Sequence, residues 1–160
     1  MSLRSYSEEF QFNYNWQSLG SLTATASISA TDKSKVTVEA LTCVIDRIDP
    51  GTVAVNYRFL CDGNAEAHVV DVYAMRGNDH YTRICTLAIT GGQAVDGTVG
   101  VFCDTVAVSN EEWLTDIGVA SPVNDDIASI AIHTHGYSSI LFLATTFGST
   151  NALQIQKARQ

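Results

Sequence analysis

The stretch from Ala67 to Thr90 reads AHVVDVYAM, then RGNDH, then YTRICTLAIT. Two runs rich in β-branched and aromatic residues flank a polar, glycine-containing segment, Arg76 to His80. This is the pattern of two antiparallel strands joined by a hairpin loop. Outward from the hairpin the chain repeats the same grammar. Upstream, Val53 to Cys61 is a strand-like run that ends on the turn residues Asp62-Gly63-Asn64. Before it, Asp49-Pro50-Gly51 closes a run from Val36 to Ile45, with proline fixing φ and glycine relieving the turn. Earlier still, Leu22 to Ala30 (LTATASISA) alternates apolar and hydroxyl side chains at period two, as a strand with one buried and one wet face does. These three upstream runs are expected to pair as a meander.

Downstream, Gly91-Gly92 and Asp96-Gly97 lead into a run from Val99 to Val108. Ser109 to Leu114 carries the one helix signal, a capping residue ahead of acids, and predicts a single turn. A loop through Gly118, Pro122 and Asp125-Asp126 precedes the last runs, Ile127 to Thr134, Ser138 to Thr146 and Ala152 to Gln156. About nine strands at this spacing, with only two prolines, predict an all-β antiparallel sandwich, jelly-roll-like or Ig-like, with at most one short helix. Residues 1–20 are set apart as an N-terminal arm or edge strand, and residues 21–160 form one sandwich domain. Within the arm, Phe10, Phe12, Tyr14 and Trp16 alternate and so share one side. They either pack on the chain's own core or form the interface to a neighbouring subunit.

Composition narrows the function classes. Hydrophobic residues make up 46% of the 160 and charged residues only 16%, below the ~25% usual for soluble domains. Seventeen acids against nine bases give a net charge of −8. The bases are scattered, so no stripe exists to track a phosphate backbone, and nucleic acid is not an expected partner. No apolar stretch approaches the ~20 residues that cross a bilayer, and no membrane role is expected. Met1 to Phe12 has polar and acidic residues where a signal peptide carries its apolar core, which predicts a soluble protein made in the cytoplasm. In that compartment Cys43, Cys61, Cys85 and Cys103, each inside a strand-like run, are expected to be buried thiols.

Several residues are candidates for chemistry. His133 and His135 stand two apart on a predicted strand, a spacing that puts both imidazoles on one face and suits a metal. A third ligand, from His68, His80 or an aspartate, would have to join them. The plain alternative is two histidines at a strand end before the Gly136 turn. Gly77-Asn78-Asp79-His80 and Asn124-Asp125-Asp126 are oxygen-rich loops without the spacing of a calcium-binding loop. Tyr73, Tyr81, Trp113 and Tyr137 could line a sugar-binding face, with Asn78, Asp79, Asn124 and Asp125 taking hydroxyls, although for any one aromatic a core role is the simpler reading. No GxSxG elbow, HExxH pair or phosphate-cradling loop occurs. The expectation is a non-enzymatic protein with no cofactor. A carbohydrate-binding module is the alternative.

The segment Ile132-His133-Thr134-His135-Gly136-Tyr137-Ser138-Ser139 running into Ile140-Leu141-Phe142-Leu143 resembles a pattern of small bacteriophage and prophage structural proteins, in which Gly-Tyr and a polar pair lead into an apolar strand. Val72 to Asp79 followed by Arg83 to Leu87 is similar to such proteins too. The resemblance implies a virion-associated β-sandwich, a head-decoration or tail-associated protein. Such a protein is made in the bacterial cytoplasm and works by association with itself, other virion proteins or glycans. It implies no catalytic residues.

Overall fold

A computed structural model describes residues 16–26, 42–61, 67–77, 81–91, 101–109, 118–120, 129–148 and 152–158. Ten strands lie among them: β1 (Trp16–Leu22), β2 (Val44–Arg47), β3 (Ala54–Cys61), β4 (Ala67–Met75), β5 (Thr82–Gly91), β6 (Val101–Ser109), β7 (Gly118–Ala120), β8 (Ser129–His133), β9 (Ser139–Thr146) and β10 (Leu153–Ala158). Every pairing between them is antiparallel.

The strands form two layers. One runs β1-β10-β3-β8, with the short β7 outside β8, and the other runs β2-β9-β4-β5-β6. The first part of β6 reaches across to β3, pairing Phe102 with Leu60 and Val101 with Cys61. The rest of β6 stays on β5, after a bulge at Thr90/Gly91. Consecutive strands change layer except at β4–β5, β5–β6 and β7–β8, which pair with each other, and the strand orders 1-10-3-8 and 2-9-4-5 are those of a jelly-roll sandwich. The all-β sandwich expected from the sequence is the fold observed.

The central hairpin forms as read, β4 against β5 from Ala67↔Thr90 to Ala74↔Thr82. The Asp49-Pro50-Gly51 turn also forms, with Thr52 N–H donating to the Asp49 carbonyl at 3.1 Å and Gly51 at φ +87°. That backbone region suits glycine because it has no Cβ. Among the described residues no meander pairing occurs, residues 27–41 of the two earlier runs lying outside them. β1 pairs with β10, β2 with β9, and β3 with β10, β8 and β6. The reason is long-range: β1, β2 and β3 alternate between the layers, so their partners come from later in the chain.

The first strand is also displaced from the alternation that suggested it. β1 covers Trp16–Leu22 and so runs through residue 20, where arm and domain were divided. Its partner β10 begins at Leu153, opposite Leu22. Past that point the chain crosses toward the other layer, where Ala26 N–H donates to the Ala144 carbonyl at 2.8 Å. The expected helical turn at 109–114 lies outside the described residues except Ser109, which ends β6.

The core fills the space between the layers. Tyr57 and Phe59 from one sheet meet Phe142 from the other, with ring centroids at 4.9 and 6.5 Å and edge-on geometry. Leu22, Ile130, Ile132, Ile140, Leu153 and Ile155 surround them, all fully buried. Burying each such side chain contributes about 1.5–3 kcal/mol. β9 is buried on both faces as far as Ala144. Ile140, Phe142 and Ala144 point inward, while Leu141 and Leu143 form a smaller outer cluster with Tyr81, flanked by Tyr73, Met75, Cys43 and Ala26.

Candidate functional site

In three strands the alternation of apolar residues is interrupted by a polar group that stays in phase with the core. β2 reads Val44-Ile45-Asp46-Arg47, and Val44 and Asp46 face inward. β10 carries Leu153, Ile155 and Lys157 on one side, paired across to Cys61, Phe59 and Tyr57 of β3. Period two therefore sends an acid, a base and a phenol into the same interlayer space. They meet there. Lys157 Nζ lies 2.6 Å from Asp46 Oδ1, and the Tyr57 hydroxyl donates to Asp46 Oδ2 at 2.7 Å. The side chains of Lys157 and Asp46 are only 12% and 3% exposed.

Two clefts meet at this lysine. One, of about 370 Å³, lies between β1 and β2 and is lined by Gln17, Ser18, Leu19, Ile45, Asp46, Arg47 and Lys157. The other, of about 220 Å³, is formed by Ile48, Asp49, Thr52, Ala54, Val55, Lys157 and Ala158. β1 and β2 are the two ends of the strand path and lie next to each other without pairing. A Cβ built on Gly20 of β1 would stand 3.4 Å from a Val44 methyl of β2. The charged triad therefore sits just inside the flank where the two layers are not stitched by backbone bonds.

Burial, then the charge of Asp46 and the hydrogen bond to it, push the Tyr57 phenol well above its ordinary value of 10.0. The phenol stays protonated and serves as a donor. An acid whose folded value is raised adds stability that is full below the unfolded value and is lost as pH climbs toward the folded one, because only the unfolded chain releases the proton. Unfolding free energy should therefore fall as pH rises above about 10, and fall less in Tyr57→Phe. Parallel declines in the two proteins would refute this assignment.

The histidine pair occupies a different corner. Thr134-His135-Gly136-Tyr137 is a tight turn, closed by Tyr137 N–H donating to the Thr134 carbonyl at 2.6 Å, with His135 at φ +44° and Gly136 at +80°. Two consecutive left-handed residues make it a type I′ turn, and histidine tolerates that region better than most side chains. The Thr134 hydroxyl anchors the turn on the Thr52 carbonyl, and Ser138 Oγ donates to the Met75 and Gly77 carbonyls at 2.9 Å. The His133 and His135 rings lie 5.8 Å apart, the Tyr137 ring is 6.4 Å beyond His135, and the Arg76 guanidinium sits 5.2 Å from the Tyr137 ring.

Ile130 and Ile132 face the core, so His133 is on the outer side of β8. Among the described residues no third metal-ligating group joins the two histidines. His68 is far away, seven strand positions and roughly 23 Å from Met75 along β4. It is buried there, edge-on to Phe147 at 5.7 Å, and its Nδ1 accepts from Gly148 N–H. His80 lies outside the described residues.

Of the sugar-face candidates, Tyr73 and Tyr81 share the outer cluster on β9, and Tyr137 lies on the core. Tyr81 is 8% exposed, and its hydroxyl is 3.0 Å from Ser139 Oγ. Tyr73 packs on the outer cluster, and Tyr137 packs on the core beneath Arg76. Trp113, Asn78, Asp79, Asn124 and Asp125 lie outside the described residues, as do Phe10, Phe12 and Tyr14. Trp16, the last aromatic of the arm, is half-buried in β1. The guanidinium of Arg58 in the same chain lies 4.4 Å from its ring, and Arg58 Nε donates to Gln156 Oε1 at 2.6 Å. Cys61, Cys85 and Cys103 are buried. Cys43 is half-buried, and burial raises its thiol above the ordinary value, which disfavours the nucleophilic thiolate.

The sequence reading missed the Asp46–Tyr57–Lys157 triad. The signal was present, as opposite charges each in phase with an apolar strand face, but strand order is needed to see that they converge. Compared with known proteins, the chain matches no family model, no curated protein and no solved structure.

Proposed function

We propose that this protein is a non-enzymatic structural component that acts by self-association, in a bacteriophage or prophage particle. The observation that carries the reading is the flank formed by β1 and β2. Among the described residues neither strand has a partner on its outer edge, and an open edge is a template for another chain. Such edges are often blunted by charge or proline, yet β1 reads Trp-Gln-Ser-Leu-Gly-Ser-Leu. Ile45 stands beside it, 39% exposed, one of two large exposed apolar side chains among the described residues. The jelly-roll architecture is one that viral coat and lectin domains share, an analogy that favours neither by itself. A second copy of the chain is the occupant that an assembly role calls for, edge to edge across this flank.

Light scattering on the full chain should give one defined oligomer, and Ile45→Lys should shift it toward monomer by placing a charge at the contact. A monomer at all concentrations overturns the proposal. An oligomer untouched by Ile45→Lys would move the contact away from this flank. Deleting residues 1–20 is a poorer test, since it removes most of β1 and bares β10.

A further inference from the structure

We propose that Lys157 and Asp46 condense into an intramolecular amide, a covalent staple between the two layers of the sandwich. The inference holds whether or not the chain self-associates. The two residues belong to β10 and β2, strands in different layers with no backbone pairing to each other. They are 111 positions apart in sequence, and the amine nitrogen is held 2.6 Å from a carboxyl oxygen. That contact places the amine beside Cγ, and well-oriented intramolecular reactants reach effective molarities of about 10⁵–10⁸ M.

An ordinary surface ion pair does not react, because water keeps both partners charged and mobile. Here the side chains are 12% and 3% exposed, so the fold and not the solvent fixes how the amine and the carboxyl face each other. The third member completes the chemistry. The Tyr57 hydroxyl donates to Oδ2 at 2.7 Å, so Oδ2 is the oxygen kept as carbonyl and steadied when negative charge builds on it. Oδ1, facing the lysine, is the oxygen that leaves.

The atoms balance without an added reagent. The ammonium passes one proton to Oδ1, leaving a neutral amine and a carboxylic acid. The amine lone pair attacks Cγ, forming the Nζ–Cγ bond and placing charge on Oδ2 opposite the Tyr57 hydroxyl. As the intermediate collapses, a second nitrogen proton goes to Oδ1, the Cγ–Oδ1 bond breaks and water departs. The third proton remains on the amide, and the opposite charges of the pair have cancelled. The clefts that reach Lys157 from both sides give the water a way out.

The staple would lie inside the flank where β1 and β2 are not joined by backbone bonds, the place where the layers are most easily parted. The test is the intact mass of denatured full-length protein together with a map of its proteolytic peptides. The expected result is a chain lighter by one water, with the deficit in a branched peptide that joins Asp46 to Lys157. Lys157→Arg and Asp46→Ala should each restore the full mass, and Tyr57→Phe should slow the appearance of the lighter species. Full mass after prolonged incubation of the folded protein overturns the proposal. A water deficit that persists in Lys157→Arg overturns it too, because the loss would then come from elsewhere, such as Asp62-Gly63 or Asp96-Gly97.

Discussion

Lys157→Met is expected to destabilise the protein by about 3–5 kcal/mol, the usual cost of removing one partner from a buried ion pair. The cost is not the lost attraction alone. With the ammonium gone, Asp46 keeps its carboxylate 3% exposed between the layers, still accepting from the Tyr57 hydroxyl, and a buried charge without its counter-ion is far costlier than a neutral side chain. The double variant Asp46→Leu/Lys157→Met should recover most of that loss, because replacing both ions with apolar groups of similar size is often neutral or better. Where the amide has formed, the single variant loses the staple as well, and the double variant recovers only the share due to the ion pair. Urea unfolding of the wild type, Asp46→Leu, Lys157→Met and the double variant forms a mutant cycle that separates the coupling from the single effects. A loss below about 1 kcal/mol for Lys157→Met would place the pair in the range of solvated surface bridges and remove the basis for regarding it as interior.

Phe142→Ala should cost a similar amount, about 3–5 kcal/mol, for a different reason. Phe142 is fully buried on β9, the strand flanked by β2 and β4, and its ring meets those of Tyr57 and Phe59 from the opposite layer. Its removal leaves a void between two sheets whose backbones are fixed by their own ladders, so the site collapses poorly and the cavity remains. The urea midpoint should drop with little change in slope, as for a loss of stability without a change in the surface exposed on unfolding. A drop of less than about 1 kcal/mol would mean that the layers close over the gap and that the packing across this centre is looser than the ring distances indicate.

The expected and observed strands agree where local chemistry decides. The hairpin from Ala67 to Gly91, the Asp49-Pro50-Gly51 turn and the apolar strand after Tyr137 each have turn formers at the right offset and a period-two pattern. They disagree where a partner far along the chain decides. Thr23 to Ala26 continue the alternation of LTATASISA but leave the strand, because β10 ends its pairing at Leu153. Leu141 and Leu143 are as buried as Ile140 and Phe142 because a second cluster covers the outer face of β9.

The sites divide the same way. The His133 and His135 rings lie 5.8 Å apart, but His135 is in the I′ turn after β8 and not on the strand that the spacing assumed. The aromatics proposed for a sugar face were selected by residue type. Among the described residues Tyr73 and Tyr81 pack in one outer cluster, with Tyr81 buried, while Tyr137 packs against the main core. The Asp46–Lys157 pair was the least visible, being 111 residues apart and on strands that never pair.

By itself, then, the sequence determined that this chain is an antiparallel all-β sandwich, because hydrophobic periodicity and turn chemistry are written within a few residues of where they act. Only the tertiary structure decided which strands are neighbours, which flank is left open, and that an acid, a base and a phenol meet between the layers. Those outcomes depend on loop closures over 11 to 111 residues, and no local pattern encodes the partner at the far end of a closure.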